Sequence, residues 1–307
     1  MNKISIVIPF YNESETIIRT LDSINNQSLH PDEVIFVDSG SNDNTEDLIK
    51  RWIRKEKKTN YKVIYSGKMS PSSSINLGIQ KAKHCLIAYL DCGLAVPFNW
   101  LESSLDIINK YNCEMVSGKI YTEGSSYIDM SLVAQSYGYK NNTICLTGSL
   151  IKKEILKKLN YFLEECRASY DIDFINKFKK EKYVRKVNKD VIFKYYGINY
   201  SSNYFIALCK VFEYSKNGWE AYGDFKPIGY ISLIIFIIFL PYNYYFYIFL
   251  LYFIIRGYLI PYYKSANFNF FKRIPLIFLL PISGFIFDIA RLAGYIHSLP
   301  KVFINAK

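Results

Sequence analysis

Residues 34–45, VIFVDSGSNDNT, carry an apolar, β-branched run directly into an acidic turn rich in serine and glycine. Such a run reads as a strand that delivers a carboxylate, Asp38, to its C-terminal end, where open α/β sheets bind their ligands. The turn then feeds a helix with Asp43 or Asn44 as its N-cap and Glu46 and Asp47 in its first turn, where the helix dipole favours acids. Upstream, residues 4–24, ISIVIPFYNESETIIRTLDSI, repeat the plan with strand Ile4 to Ile8, turn Pro9 to Glu13 and a helix opened near Ser14. Two βα units, each with an acid in its loop, predict an α/β fold with a pocket at one sheet edge.

Further along, YKVIYS (61–66) is a third strand, PSSSINLGIQKAK (71–83) a helix with serines at its start, and CLIAYLDCG (85–93) another apolar strand ending in an acid, Asp91. FNWLESSLDII (98–108) begins a covering helix at Trp100 and Leu101, and EMVSGKIY (114–121) is a strand. The polar, tyrosine-rich stretch from there to Lys140 has no clear period and reads as a binding loop or lid. A strand and short helix follow over 143–159, then a helix and an aromatic-ended strand within 162–196.

The 307-residue chain changes character near its end. Residues 1–226 are mixed, whereas beyond Pro227 the sequence turns to Ile, Leu, Phe and Tyr, with seven Lys/Arg against one acid, Asp288. A basic, aromatic, apolar tail fits a membrane, with aromatic rings at the interface and cations facing anionic lipid. The net charge of +11 raises nucleic acid as a partner, but no basic helix or aromatic-basic platform accompanies it, and nucleic acid is set aside. Cysteines at 85, 92, 113, 145, 166 and 209 show no metal-type spacing and read as reduced, mostly core thiols of a cytosolic domain. No signal-peptide pattern precedes the first strand, so the expected location is the cytoplasmic face of the membrane.

The segment IVIPFYNESETIIRTLDSINNQSLHPDEVIFVDSGSNDNT resembles the opening of the family 2 glycosyltransferases, with their Pro-x-Tyr-Asn-Glu turn and Asp-x-Gly/Ser-Ser-x-Asp-x-Thr turn. The resemblance covers roughly residues 3–196. It implies a GT-A, three-layer, Rossmann-like α/β domain over 1–200 that binds a nucleotide-sugar. A connecting helix would follow over 201–226 and a membrane-associated hydrophobic tail over 227–307. It also implies that Pro9, Tyr11 and Glu13 line the nucleotide site and that Asp38 accepts a hydrogen bond from the base. Where the family reads Ala-Arg-Asn, this chain has Ser74-Ile75-Asn76, keeping Asn76 for the donor site without the arginine. Where the family reads Leu-Asp-x-Asp, this chain has Asp91-Cys92-Gly93, so the second acid is lost. Asp91 is then expected on the ribose, or acting through water on a divalent metal, Mg or Mn.

Members that use a metal add a histidine after the last strand, but here the alignment of VIFKYY brings Lys194 near that place. Lys194, with Lys68, is read as taking over part of the metal's role, since a lysine neutralises phosphate as a point charge; a solvated strand-end lysine is the equal alternative. Asp171 falls where the family has its general base, with Tyr170 in place of the usual preceding Glu. An inverting sugar transfer needs a base of this kind to deprotonate the acceptor hydroxyl, although an acid at a helix start also serves as a cap.

The tail runs from Ile228 to Ile255, interrupted by Pro241 and Asn243, and again from Ile274 to Ile289. Split at Pro241, each half of the first run would be about 20 Å long, too short to cross, so a re-entrant hairpin is expected, with Lys264 on the side of the catalytic domain. Residues 203–226 read as an amphipathic helix at the membrane surface, or an ordinary core helix. The expected activity is sugar transfer from a nucleotide-sugar to a lipid-linked or growing surface glycan. Transfer onto polyprenyl phosphate and a non-catalytic nucleotide- or glycan-binding scaffold are the alternatives.

Overall fold

The computed structural model describes residues 3–56, 59–139, 143–164, 170–196, 203–216, 226–265 and 272–305. In chain order its strands and helices begin β1 (Ile4–Phe10), α1 (Ile17–Asn25), β2 (Glu33–Asp38), α2 (Thr45–Ile53), β3 (Asn60–Tyr65), α3 (Pro71–Lys81), β4 (Leu86–Tyr89), β5 (Leu94–Ala95) and α4 (Trp100–Tyr111). They continue β6 (Met115–Glu123), α5 (Tyr127–Gln135), β7 (Thr143–Ile144), β8 (Leu150–Lys152), α6 (Lys153–Lys158), α7 (Tyr170–Lys180) and β9 (Arg185–Tyr196). Then come α8 (Tyr204–Lys216), α9 (Lys226–Ile238), α10 (Tyr245–Ile254), α11 (Ile260–Lys264) and α12 (Ile274–Asn305). They fall into two compact units, one of residues 1–121 and 141–195, the other of residues 122–140 and 196–307.

The first unit is built on a nine-stranded sheet of order β3-β2-β1-β4-β8-β6-β9-β5, with β7 on β6. β3, β2, β1 and β4 are parallel, and β8 runs antiparallel between β4 and β6. Side chains alternate between the two faces of a strand, so a parallel sheet covered on both faces reads as a continuous apolar run. Accordingly Ile6, Ile8, Val34 and Phe36 pack with α1, α2 and α4 on one face, while Val7, Ile35 and Val37 pack with α3, α6 and α7 on the other. This is the expected three-layer α/β arrangement. α3 approaches closely because residue 78 is glycine: a Cβ there would lie 2.4 Å from Val7 Cγ1 and 3.1 Å from Val37 Cγ2. Pro9 is tolerated in the central strand β1 because its missing N–H falls on the β4 side, where pairing has already ended at Val7 and Tyr89.

In the second unit α12 is the central helix, crossed closely by α8 at Gly294, where a Cβ would meet Phe212 O and Ser215 Cβ at 2.7 Å. α8 turns Ala207, Val211 and Ser215 inward and leaves Phe205 and Ile206 exposed. The rest of the expected connecting helix, 217–225, lies outside the described residues, as does Cys166. The other five cysteines are unpaired thiols; Cys85 and Cys209 are exposed rather than core.

Two expectations need correction. The tyrosine-rich stretch before Lys140 is not a structureless lid, since it contains α5, capped by Ser126 Oγ accepting from Asp129 N at 3.1 Å. Its Leu132, Val133, Ala134 and Gln135 are all buried, so burial on several faces leaves no helical period to read. The break at Pro241 is present, but the helical path resumed at Tyr242 does not stop at Ile255. It continues through a π turn, Ile255–Leu259, into α11 and ends at Lys264. Tyr242–Lys264 (23 residues) and Ile274–Leu299 (26 residues) are therefore both long and apolar enough to cross a membrane.

Arg256 does not end the helix because its charge is met inside the unit. Its Nε donates to Asp288 Oδ2 at 2.6 Å and its Nη1 to Gln135 Oε1. Pro261 also fits: in the π register the carbonyl it leaves without a donor is that of Arg256, and Gln135 Nε2 donates to it at 3.1 Å.

Candidate active site

The C-terminal ends of β1, β2 and β4 carry the acids the sequence pointed to. Asp38 is the last residue of β2, beside Phe10 of β1 and Tyr65 of β3. It is buried, and its Oδ1 accepts from Gly40 N at 3.1 Å and Ser41 N at 2.8 Å, so one carboxylate oxygen shapes the turn. Gly40 has φ +88, and a Cβ there would lie 3.3 Å from Lys68 N, so the loop after β3 lies against this turn. The loop after β1 is zipped to it as well. Asn12 N donates to Ser41 Oγ at 3.0 Å, Glu13 N to Thr45 Oγ1 at 2.9 Å and Ser14 N to Asp43 Oδ2 at 3.2 Å. Asp43 thus caps from outside α2, and Asn44 holds the N-cap place without a side-chain bond. Tyr11 is half-exposed in the same loop.

Asp91 follows β4 directly. Its N–H donates to Thr147 Oγ1 at 2.8 Å, and the Tyr89 hydroxyl donates to its Oδ1. Burial pushes the Asp91 carboxyl up to about 6; hydrogen bonding by Tyr89 and Thr147 lowers it, and the negative charges of Asp171 and Glu13 raise it. Glu13, Asp91 and Asp171, from the β1 loop, the β4 end and the start of α7, are therefore near enough for their charges to act on one another. Water reaches Asp171 from one side while protein crowds it from the other, and this desolvation raises its carboxyl above the ordinary range. Thr16 Oγ1 donates to Glu13 Oε2 and orients it.

Position 93 shows why the second acid is missing. Gly93 has φ +83, which L side chains rarely adopt, and a Cβ there would lie 3.4 Å from Thr16 Oγ1 and 3.8 Å from Glu13 Oε2. An aspartate at this place would sit strained against another carboxylate. Among the described residues no three His, Cys, Asp or Glu side chains converge as a metal site. Asp91 alone remains of the expected Mg or Mn ligands, with a phenol on its Oδ1. Among the described residues this donor set does not by itself fit a resident divalent ion, and no step below is routed through one.

The remaining expected residues are dispersed. Lys68 lines a pocket of about 440 Å³ with Ser70, Ser73, Gln80 and Glu164, beside the Asp38 turn. Lys194 is exposed on β9, paired with Ala95 of β5. Asn76 is buried, with its amide engaged by protein: Oδ1 accepts from Phe162 N at 3.0 Å and Nδ2 donates to Phe162 O at 2.8 Å. It clamps the loop that leads towards α7.

The sequence reading missed Tyr89, Thr147 and Arg185. Arg185 Nε donates to Ser117 Oγ at 3.0 Å and its Nη2 to Cys145 O at 3.4 Å, stapling β9 to the turn that carries Thr147. A signal for Tyr89 was available, because a phenol two residues before a strand-end acid shares its face.

Known proteins agree with this architecture. The glycosyltransferase AglE of Haloferax volcanii is 25% identical to this chain over 53% of this chain and 52% of AglE, so the chain spans about half the length of that relative. The poly(ribitol-phosphate) beta-N-acetylglucosaminyltransferase TarP of Staphylococcus aureus is 24% identical over 76% of this chain and 67% of its own. Among solved structures, the mannosyltransferase PcManGT of Pyrobaculum calidifontis, in complex with GDP-Man and Mn2+, aligns with a TM-score of 0.61 at 13% identity, over 95% of this chain and 87% of that one. S. aureus TarS 1–349 with UDP-GlcNAc aligns with a TM-score of 0.52 at 19% identity, over 69% and 66%. Likenesses at such identities show the shared GT-A fold. The model described as "Glycosyl transferase family 2" matches residues 5–160, about half of the chain, and the chain belongs to that family.

Proposed function

We propose that this chain is an inverting glycosyltransferase, moving a sugar from a nucleotide-sugar donor to a lipid-linked or growing surface glycan at the cytoplasmic face of a membrane. The observation that carries the reading is the link between the end of β4 and the start of α7: the Tyr89 hydroxyl bonds Asp91 and lies 3.1 Å from the hydroxyl of Tyr170, the neighbour of Asp171. Asp38, Pro9 and Tyr11, on the adjoining turns, receive the nucleoside; Asp91 accepts from a hydroxyl of the ribose or sugar. Lys68 and Lys194 are the cations assigned to the diphosphate, and Asn76 supports the site through its clamp on Phe162.

In the reaction, the Asp171 carboxylate takes the proton of the acceptor hydroxyl. The acceptor oxygen bonds to the anomeric carbon as the bond from that carbon to the diphosphate oxygen breaks on the opposite face, and the nucleoside diphosphate leaves. Its raised pKa makes Asp171 a stronger base than an ordinary carboxylate. The two long apolar helices support a membrane-bound acceptor, and the relative TarP, a poly(ribitol-phosphate) beta-N-acetylglucosaminyltransferase by name, supports a polymeric one.

The test is product formation from nucleotide-sugars with extracted lipid acceptors. Asp171→Asn should lose transfer by at least about 100-fold with nucleotide affinity nearly intact, as for a base removed from the acceptor side. Asp38→Ala should weaken nucleotide binding. Equal loss of binding and turnover in Asp171→Asn would move that residue to the donor site or the fold. Nucleotide binding with no product from any donor would favour the scaffold reading, which the loss of the second acid makes a specific alternative.

A further inference from the structure

Asp91 and Asp171 lie far apart in sequence, and one string of side chains joins them. The Tyr89 side chain is buried, and its hydroxyl donates to Asp91 Oδ1 and lies 3.1 Å from the Tyr170 hydroxyl. A phenol has one proton. Tyr89 commits its proton to a carboxylate that only accepts, so at this contact Tyr170 is the donor and Tyr89 the acceptor.

Tyr170 opens α7, one residue before Asp171. Its ring meets Phe162 edge-on at 5.8 Å, and Phe162 lies 6.1 Å from the Tyr89 ring and 4.9 Å from Phe174. Asn76 of α3 holds both backbone polar groups of Phe162. The first turn of α7 is therefore fixed to the end of β4 by two phenols and to α3 by an amide, with aromatic packing between them.

We propose that Tyr89 and Tyr170 are positioning residues that set the base Asp171 against the donor-side carboxylate Asp91, and so set the distance between acceptor hydroxyl and anomeric carbon. The inference rests on the assignment of Asp171 as the base. A phenol at position 170 suits this role because it donates towards the Asp91 side, where a carboxylate would repel it. Neither tyrosine touches the reacting atoms; each acts through an acid.

The test uses the full chain in detergent or vesicles, with Tyr170→Phe and Tyr89→Phe, which keep the rings and remove the hydroxyls. Small displacements of a positioned group cost up to about 100-fold in rate, so each variant should lower kcat for transfer by roughly 10- to 100-fold. For Tyr170→Phe, whose hydroxyl does not bond Asp91, KM for the donor, nucleotide affinity and Tm should stay within about twofold or a few degrees of the parent. Because both hydroxyls act through one string, the double variant should be no worse than Tyr89→Phe alone.

A kcat for Tyr170→Phe within twofold of the parent, alongside an inactive Asp171→Asn, would overturn the inference and leave the base assignment standing. An active Asp171→Asn would sink the base assignment itself. Should Tyr170→Phe fail to fold, Tyr89→Phe reads the same string. Joint loss of Tm, nucleotide affinity and turnover in both variants would show a purely structural contact and overturn the positioning role.

Discussion

Glu33 opens β2 at the end of the strand opposite Asp38, and it is fully buried. Its carboxylate accepts from Ser5 Oγ at 2.8 Å, Lys83 N at 2.9 Å and Lys62 Nζ at 2.5 Å. Burial by itself would raise this carboxyl, but these donors outweigh it and hold the group below its ordinary value. The charged form is thus favoured by folding: the stabilisation is present above the unfolded value of about 4.3 and is lost as pH falls through the folded one. Lys62 is about one third exposed, so water screens part of the pair. Glu33→Gln should cost about 1–3 kcal/mol near neutral pH, the scale of a buried group losing part of its hydrogen bonding. Unfolding followed at pH 7.5 and at pH 3 checks this: the difference between parent and variant should be full at the first and smaller at the second. The strand-end positions of Asp38 and Asp91 were legible because an acid that closes an apolar run marks where the strand meets its loop. Asn76 was placed correctly on its helix, but its partners, the backbone groups of Phe162, are 86 residues away, and no local pattern reports such a contact. Tyr89 was passed over for a different reason: a tyrosine inside an apolar strand reads as core unless the face it shares with Asp91 is weighed.

Among the elements, α3 depends most visibly on one atom's absence. Gly78→Ala should push the helix off β1, because the new methyl would overlap Val7 Cγ1; overpacking of this kind costs about 1–3 kcal/mol. A fall in Tm with weakened nucleotide binding is expected, since α3 also carries Ser70, Ser73 and Asn76. An unchanged Tm would show that the sheet yields more easily than its packing suggests. The parallel strands and their helices were readable because alternation and helical period are local properties of the chain. α5 was not, because it is buried on several faces and its polar residue Gln135 is satisfied by carbonyls and a guanidinium far along the chain. The extent of the helical path through Arg256 was hidden likewise, since a cation there looks like an end until its partner, Asp288, is seen.

For the whole molecule, the second unit exposes large apolar side chains, among them Phe239, Tyr242, Phe246 and Tyr263. Exposed apolar surface of this kind marks a membrane or partner contact. The full chain should float with vesicles containing anionic lipid; recovery in the soluble fraction would remove the membrane from the proposed function. Tyr263→Cys, in a background without the native cysteines, should react with a membrane-impermeant thiol reagent only after spheroplast lysis. Labelling of intact spheroplasts would place that turn outside. The order in which these parts leave the ribosome follows from the bonds of Gln135. Its amide waits for Arg256 and for Leu280 O, 145 residues later, which at about 5–20 residues per second is roughly 7–30 seconds of synthesis. During that interval α5 is already made while its partners do not yet exist, so the helix must be sheltered by something other than its final neighbours, and the second unit closes only when translation is nearly done.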